Sequence, residues 1–349
     1  MRPISPQRRL TPILNLLRNR DFALPFSGFV LVQSTLPLQL VTQIFWLQEH
    51  TDPGARIALV GLLATTRGLG MVGFGLYGGA LADRFDRRRL LIGAQAAAVV
   101  LHVGILATLA ISAGGNGGRA VFFALILGSS ALWAVDGPRR QAMAPDILGP
   151  RAAVRGLALN AAGAWAITPL TVLAAGFIID SAGFSGTYSL LVAFQVLALG
   201  TLLPLRCRRR AEPDGQQAIP GLRGVMDGLR YAVRHPYLRW IILLMALMTV
   251  LGIPAVSGLG PTWITLEVGA TFSEFGLIAA VWGLAGLLVA MALTGFAHFE
   301  RLGVVMALGA ILFGVGFVIF AAKAEAAFAA GGNAALGAGW SLRRCRERR

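Results

Sequence analysis

The amino-acid sequence predicts an all-α integral membrane protein, and three observations lead to that class. The chain has 349 residues, of which 56% are hydrophobic and 13% are charged, whereas a soluble domain carries about 25% charged residues. Several apolar runs reach the roughly 20 residues that a helix needs to cross a bilayer. Most arginines lie in short polar segments between those runs. Because lipid offers the backbone no hydrogen-bond partner, the runs must be helical.

Nine membrane spans are predicted along the chain, of which the fourth is short and needs tilt or its flanks to cross. One long polar connection, residues 206–237, separates the first six spans from the others. Within it, residues 221–234 have apolar side chains at helical spacing and predict an amphipathic helix. The predicted spans are 22–47, 57–82, 90–112, 120–137, 156–179, 185–205, 238–260, 274–297 and 303–322.

These spans predict four regions. Residues 1–205 form an N-terminal six-helix bundle, and residues 206–237 form a basic cytoplasmic linker. Residues 238–325 form a partial C-terminal bundle, and residues 326–349 are an atypical tail. A six-helix half, a linker and a second half form the parallel-repeat layout of many secondary transporters.

The distribution of basic residues predicts the orientation. With the N-terminus inside, the inner segments carry 22 Lys and Arg, and the outer loops carry two, Arg56 and Arg119. Cytoplasmic loops are enriched in Lys and Arg, so the N-terminus is predicted to be cytoplasmic. The net charge of +15 therefore reflects topology, and no nucleic-acid partner is expected.

The composition excludes several other classes. The two cysteines and four histidines form no disulfide framework or metal-binding spacing, so no cofactor is expected. No GxxxxGK[ST] loop is present to bind ATP for a primary pump. A membrane-embedded enzyme needs a nucleophile, a metal or a carboxylate pair at membrane depth, and the sequence has no such cluster. The chain is therefore expected not to be an enzyme.

A motif between spans two and three resembles a known family. The sequence Gly79-x-Leu81-Ala82-Asp83-Arg84-x-x-Arg87-Arg88-x-x-Leu91 is similar to the loop 2–3 motif of the major facilitator superfamily, with Asp86 in place of the usual mid-loop glycine. Three further segments resemble its enterobactin-exporter-like branch of effluxers: Leu17 to Phe22, Asp136 to Arg140, and Gly228 to Pro236.

The resemblance implies a fold, an activity and a gating cluster. The implied fold is the twelve-span major facilitator fold, so this chain, with about 9–10 spans, is expected to be truncated or frame-shifted near its C-terminus. Residues 326–342 are either a weak tenth span or a segment that does not insert. The implied cytoplasmic gate comprises Gly79, Asp83, Arg84, Arg87, Arg88, Asp136 and Arg139. Alternatively, these arginines only fix the topology.

Polar side chains in the first span are candidates for the transport path. Gln39 and Gln43 are one turn apart, and Trp46 continues the same face. Polar groups at membrane depth are costly and usually face a cavity or a partner helix. These residues are predicted to contact substrate, and interhelical hydrogen bonding is the alternative.

Four ionisable residues near or within the membrane are candidates for substrate or proton binding. Arg67 lies about ten residues into span two and needs water or a carboxylate; Glu49 and Asp180 are the possible partners. Its role is either substrate or proton coupling, or a structural ion pair. His102 lies among apolar residues of span three, where a hydrogen-bonded core histidine is the simpler interpretation.

Together these features predict a secondary active transporter in the cell (inner or plasma) membrane. It would export a small amphipathic molecule, drug- or siderophore-like, by proton-coupled alternating access. Its expected partners are the small-molecule substrate, protons and the lipid bilayer, and it is expected to be monomeric. The alternative is a truncated remnant of such an exporter, which inserts in the membrane without transporting.

Overall fold

All regular elements of the described chain are helical. The protein is seen in a computed structural model that describes residues 16, 18, 20–82, 87–111, 115–204, 230–231, 233–247, 252, 255–295 and 302–343. No strand occurs in those residues. Seven of their stretches are long and apolar enough to cross a membrane. The prediction of an all-α membrane protein is therefore confirmed.

Ten α-helices are found in the described residues. They are α1 (Arg20–Glu49), α2 (Arg56–Ala82), α3 (Arg87–Ala110), α4 (Asn116–Leu148), α5 (Pro150–Leu202), α6 (Pro236–Leu247), α7 (Gly260–Leu266), α8 (Phe272–Gly295), α9 (Leu302–Ala322) and α10 (Ala326–Arg343). A short turn of 3₁₀ helix, Pro53–Ala55, lies between α1 and α2, and a π-helical turn, Ala255–Leu259, precedes α7.

Helix α5 is long enough for two membrane crossings, and its backbone is kinked at Gly183. Its 53 residues are more than twice the roughly 20 that one crossing needs. Gly183 has φ 70° and ψ −175°, a conformation that side-chain-bearing residues rarely adopt. The sequence predicts a break at this position, between the spans 156–179 and 185–205.

The predicted loop over residues 138–155 is wrong. Helix α4 continues to Leu148, and α5 begins at Pro150, so that Gly149 alone separates the two helices. Gly149 has φ 72°, which ends the first helix, and a proline is well suited to the first turn of the second. The arginines suggested a loop, but Arg, Gln, Ala, Met and Leu all favour helix formation.

The predicted seventh span, 238–260, is described only in part. Helix α6 covers Pro236–Leu247, and Gly252 and Ala255–Leu259 are π-helical, whereas residues 248–251 and 253–254 lie outside the described residues. Pro261 lies in the first turn of α7, with Gly258 and Gly260 just before it. The seventh span as a whole therefore stays a prediction.

The chain divides into two compact units. The first unit contains residues 1–33, 62–164 and 190–247, and the second contains residues 34–61, 165–189 and 248–349. Each unit draws on segments from both sides of the linker at 206–237. The four regions predicted from the sequence stay a prediction, and most of the predicted amphipathic helix at 221–234 lies outside the described residues.

Helix α10 packs on α8 and α9 through small residues in the second unit. A Cβ atom on Gly332 would lie 2.6 Å from the Phe320 backbone of α9, and one on Gly339 would lie 2.6 Å from the Gly309 carbonyl oxygen. Gly337 lies against the carbonyl of Trp282 on α8. Such contacts let helix backbones approach closely without a hydrophobic driving force. The residues 326–343 are thus a packed helix.

Candidate functional site

Gln48, near the end of α1, bridges two hydroxyls of α7. Its Nε2 donates to Thr262 Oγ1 at 2.9 Å, and its Oε1 accepts from Thr265 Oγ1 at 3.0 Å. The glutamine side chain is buried. Both polar ends of its amide are therefore bonded to a single turn of α7. Helix α1 precedes the linker and α7 follows it, so the bridge joins the two sides of the chain.

Asp180 makes a second such connection at the start of α8. Its Oδ2 accepts a hydrogen bond from the backbone N–H of Ser273 at 2.8 Å. The same helix start has its own capping box, in which Thr271 N–H donates to Glu274 Oε2 and Glu274 N–H donates to Thr271 Oγ1. A carboxylate is favoured at a helix N-terminus because backbone N–H groups and the helix dipole point at it.

Four phenylalanines pack beside these polar contacts. The Phe45 ring stacks on Phe272 with centroids 4.7 Å apart and meets Phe275 edge-on at 4.9 Å. Phe184 meets Phe272 edge-on at 5.8 Å. Such pairs contribute about 0.5–1.5 kcal/mol each beyond area burial. Phe45 and Phe184 precede the linker and the other two follow it. We call the polar contacts of Gln48 and Asp180 and these four rings the closure.

Glycines let the backbones of α5 and α8 approach below the closure. Gly176 of α5 lies against the carbonyl of Phe272, and a Cβ on Gly283 of α8 would lie 2.5 Å from the Pro169 ring. A larger residue at either position would push the helices apart. The two helices are therefore in direct backbone contact across the second unit.

A cavity of about 330 Å³ lies beside the closure. Its wall carries the charged residues Glu49, Arg56 and Asp180 together with threonines and aromatic rings. The lining residues are Phe45, Gln48, Glu49, Arg56, Asp180, Thr265, Leu266, Ala270, Thr271 and Phe272.

The first unit contains a chain of four buried polar side chains. Arg140 Nε donates to Asp136 Oδ2 at 2.6 Å, and Arg140 Nη2 donates to Gln95 Oε1 at 2.7 Å. Gln95 Nε2 donates in turn to the backbone carbonyl of Gln195 at 3.0 Å and to its side-chain Oε1. The chain joins α4, α3 and α5. We call it the buried polar chain.

For most residues of the predicted cytoplasmic gate, the side chains are not among those that the structure describes. Asp83 and Arg84 are not among the described residues. Gly79 lies near the end of α2, and Arg87 and Arg88 are the first residues of α3. For these three residues only the backbone is described. The same holds for Arg139 of α4. Asp136 is described, and it pairs with Arg140 on the same helix.

The three first-span candidates lie inside the second unit. Gln43 is fully buried, and its Nε2 donates to Tyr188 Oη at 3.0 Å. Trp46 is buried and stacks on His50, with ring centroids 5.0 Å apart. Gln39 is also buried. The interhelical hydrogen bond that the sequence offered as an alternative is thus present for Gln43, between α1 and α5.

The ionisable candidates fall into both units. Arg67 and His102 are buried in the first unit, close enough to interact electrostatically. His102 Nδ1 is 2.7 Å from the Ala98 carbonyl, and a carbonyl only accepts, so this nitrogen carries a proton. Glu49 and Asp180 are exposed in the second unit. The proposed pairing of Arg67 with a carboxylate stays a prediction.

Sequence reasoning missed Gln48, Gln95, Arg140 and Gln195 as interacting residues. The spacing of Asp136 and Arg140, four apart on one helix, was a usable signal for their ion pair. The glutamines gave a weaker one, since an amide at membrane depth needs a partner. Their partners lie 100 and 214 residues away in the chain, and no local pattern identifies those.

Comparison with known proteins gives a family and a fold. The family model described as Major Facilitator Superfamily matches residues 25–342. No curated protein matches this chain. A bacterial homologue of the human lysosomal transporter Spinster, crystallised inward-facing, superposes with a TM-score of 0.66 at 15% identity, covering 93% of this chain and 75% of that one.

Two further solved structures give the same result. The nucleoside transporter NupG superposes with a TM-score of 0.63 at 15% identity, covering 94% of this chain and 80% of that one. The xylose transporter XylE from E. coli, in a partially occluded inward-open conformation, gives 0.61 at 15% identity, with 94% and 83% covered. At such identities, the likeness concerns the fold.

Proposed function

This chain belongs to the major facilitator superfamily, and from that membership we propose that it is a proton-driven exporter of a small amphipathic molecule. The fold is one of multi-pass membrane proteins that carry out secondary transport, and it is not an enzyme fold. The direction, the substrate class and the coupling ion are the proposal. The substrate would be drug- or siderophore-like, as in the enterobactin-exporter-like branch that the sequence resembles. The chain would act as a monomer in the inner or plasma membrane.

The closure is the observation that carries this proposal. Alternating access requires contacts between the two sides of the linker that form at one end of the protein and break during the cycle. The closure joins the two sides of the linker through two neutral hydrogen bonds of Gln48, worth about 1 kcal/mol each. It adds the bond to the Asp180 carboxylate, worth about 0.3–1 kcal/mol at an exposed helix N-terminus, and ring contacts of about 0.5–1.5 kcal/mol each. Ligands shift a two-state equilibrium strongly with a differential affinity of about 5.5 kcal/mol. A set of contacts of this strength can be broken by substrate binding.

The proposed direction of transport follows from the orientation that the basic loops predict. With the N-terminus in the cytoplasm, the turn between α1 and α2 faces outside, and the closure is an extracellular gate. The structure then corresponds to a state that is shut to the outside, the state in which an exporter loads substrate from the cytoplasm. Gln39, Gln43 and Trp46 would meet substrate on its way out, after the closure opens.

The proposal also gives roles to the charged residues that the sequence singled out. Arg67 and His102 would contact substrate or couple protons in the first unit. Glu49 and Asp180 line the cavity beside the aromatic rings of the closure, and they would couple protons at that end of the protein. The cytoplasmic loop, with Asp83, Arg84, Arg87 and Arg88, would close the opposite end together with Gly79, Asp136 and Arg139. A network of such pairs biases a conformational equilibrium even when each exposed pair contributes about 1 kcal/mol or less.

Transport by the purified full chain in proteoliposomes tests the proposal. A proton gradient, acidic inside, is imposed on vesicles in which the protein has its cytoplasmic face outward, and uptake of a tricatecholate siderophore and of a cationic dye is followed. We expect uptake that collapses with a protonophore. Vesicles without protein serve as the control for leak. Uptake of neither compound, or uptake indifferent to the gradient, contradicts the proposal. A chain that inserts correctly and moves neither compound would be the non-transporting alternative.

A further inference from the structure

The buried polar chain contains an ion pair whose geometry is incomplete. Arg140 and Asp136 have side chains that are 2% and 8% exposed. Of the described residues, Arg140 alone bonds to the carboxylate, from Nε to Oδ2. None of the described residues forms a hydrogen bond with Asp136 Oδ1, although that atom is buried. Arginine and a carboxylate commonly form two parallel bonds, the stronger arrangement.

Gln95 is the reason that the second bond is missing. The side-on fork of a guanidinium presents Nε and Nη2 to the two oxygens of one carboxylate. Here Nη2 donates to Gln95 Oε1 at 2.7 Å instead. Gln95 therefore competes with Asp136 Oδ1 for a single donor. The amide is held in that orientation because its Nε2 donates to the Gln195 carbonyl on α5.

Helix α1 packs against the guanidinium of Arg140. A Cβ on Gly28 would lie 3.2 Å from Arg140 Nη1 and would collide with Thr201 Oγ1. Leu91 and Leu202, both buried, pack with Leu24, Ile92 and Ile147 in an apolar cluster. These leucines lie on the same helices as Gln95 and Gln195. The ion pair is thus held within four helices, where its two partners have little freedom to move independently.

A buried ion pair with unused atoms is weak evidence for stability. Charges inside a membrane protein are costly and are retained mostly where they act in function. In this structure Arg140 makes one bond to Asp136 and one to Gln95. A second arrangement is available to it, because Arg140 Nη2 would gain a charged acceptor, Asp136 Oδ1, if it left Gln95. Such a pair with two discrete arrangements is the kind of element that a conformational cycle requires.

We propose that Gln95 is a positioning residue of the transport cycle, which keeps the Asp136–Arg140 pair open by holding Arg140 Nη2. This proposal rests on the proposed function. In one state Nη2 bonds to Gln95, as in this structure, and in the other it moves to Asp136 Oδ1. Replacing Gln95 by leucine removes the competing acceptor. The ion pair then closes on both carboxylate oxygens, and the exchange between conformations slows.

The variants Gln95→Leu and Gln195→Leu form a matched pair. Each replaces one buried glutamine of the buried polar chain by an apolar residue of similar size. Gln195→Leu leaves the backbone carbonyl that accepts from Gln95, so Gln95 stays in place. We expect Gln95→Leu to lower the maximal transport rate about tenfold, the rate equivalent of one charge-assisted hydrogen bond, with KM unchanged. Gln195→Leu should keep at least half of the rate. Equal losses in both variants would overturn the proposal, since equal losses indicate packing.

A double-mutant cycle with Asp136→Asn gives the second test. If Gln95→Leu acts by letting the carboxylate take both guanidinium donors, it should have no further effect once that carboxylate is replaced by an amide. Additive losses in the double variant would overturn the proposal. Thermal unfolding in detergent identifies variants that fail to fold, and the rates are then compared per folded molecule.

A substrate-independent measurement separates this proposal from the proposed function. Ser34 is 3% exposed on α1 in the second unit, so we expect a cysteine there to be labelled only when the protein opens. With Cys207 and Cys345 replaced by serine, and with enough maleimide that opening limits the reaction, labelling in proteoliposomes should be about tenfold slower in Gln95→Leu than in its parent or in Gln195→Leu. That result without any transport would refute only the proposed function. Equal labelling in all three proteins would refute the role of Gln95.

Discussion

Replacing Gln48 by leucine should open the closure without unfolding the protein. The variant loses two hydrogen bonds, at 2.9 and 3.0 Å, between α1 and α7. The two threonines keep acceptors four residues earlier in the chain, since Thr262 Oγ1 is 3.2 Å from the Gly258 carbonyl and Thr265 Oγ1 is 3.0 Å from that of Pro261. Leucine therefore leaves no hydroxyl without a partner. The closed state should lose about 2 kcal/mol, at about 1 kcal/mol per neutral hydrogen bond.

That loss corresponds to a measurable change in exposure. A change of 1.4 kcal/mol is tenfold in an equilibrium constant, so the open fraction should rise by roughly 30-fold while it remains small. The assay is the rate at which a membrane-impermeant maleimide labels a cysteine at Ser34, which is buried in the second unit. Both native cysteines are replaced by serine beforehand. When opening is fast relative to labelling, the rate is proportional to the open fraction.

Gln33→Leu is the matched control for this experiment. Gln33 lies half-buried on the same helix, in the first unit, and takes no part in the closure. Its replacement should leave the labelling rate within about twofold of the parent, as expected of a substitution away from a special contact. Unchanged labelling in Gln48→Leu, or an equal increase in Gln33→Leu, would refute the idea that the Gln48 bridge holds the closure shut.

Two further substitutions address the same end of the molecule. Asp180→Asn removes the charge that faces the Ser273 N–H but keeps an oxygen acceptor, so we expect labelling at Ser34 to rise only a few-fold, in line with the 0.3–1 kcal/mol of an exposed charge at a helix N-terminus; a decrease would contradict the assignment. Gly176→Ala should lower the thermal unfolding temperature in detergent, because its methyl group meets the Phe272 carbonyl, whereas Gly314→Ala, a helical glycine with open space around it, should raise it slightly or leave it unchanged. Equal effects of the two alanines would argue against close packing of α5 on α8.

The long apolar runs, together with the polar segments and glycines between them, were sufficient to predict the fold class. Membrane-spanning helices are determined by local composition, since lipid allows few alternatives. The break at Gly183 was readable because a glycine lies between two apolar runs of sufficient length. The error at residues 138–155 arose because local signals conflict there. The arginines around residue 140 suggested a loop, yet their side chains favour helix formation and one of them, Arg140, is buried in an ion pair.

The candidate site was less predictable than the fold. Gln43 and Trp46 were selected as polar and aromatic groups at membrane depth, a criterion that does not distinguish a substrate contact from a hydrogen bond such as that to Tyr188. Gln48 differs from its neighbours only through its partner, which lies 214 residues away. The role of an amide in a bundle depends on which helices surround it, and that depends on the tertiary structure.

The glycine contacts of α10 have a consequence for biogenesis. This helix contains Asn333 and four glycines, and it is not among the seven stretches that are apolar enough to cross a membrane. Its partition from the translocon into free lipid is therefore weak. In the part of the chain that the structure describes, the asparagine amide donates to the Ile278 carbonyl of α8 at 3.3 Å. We therefore expect α10 to leave the translocon together with α8 and α9, as a preassembled hairpin group, and to be degraded by membrane proteases when either partner is mutated at the glycine contacts.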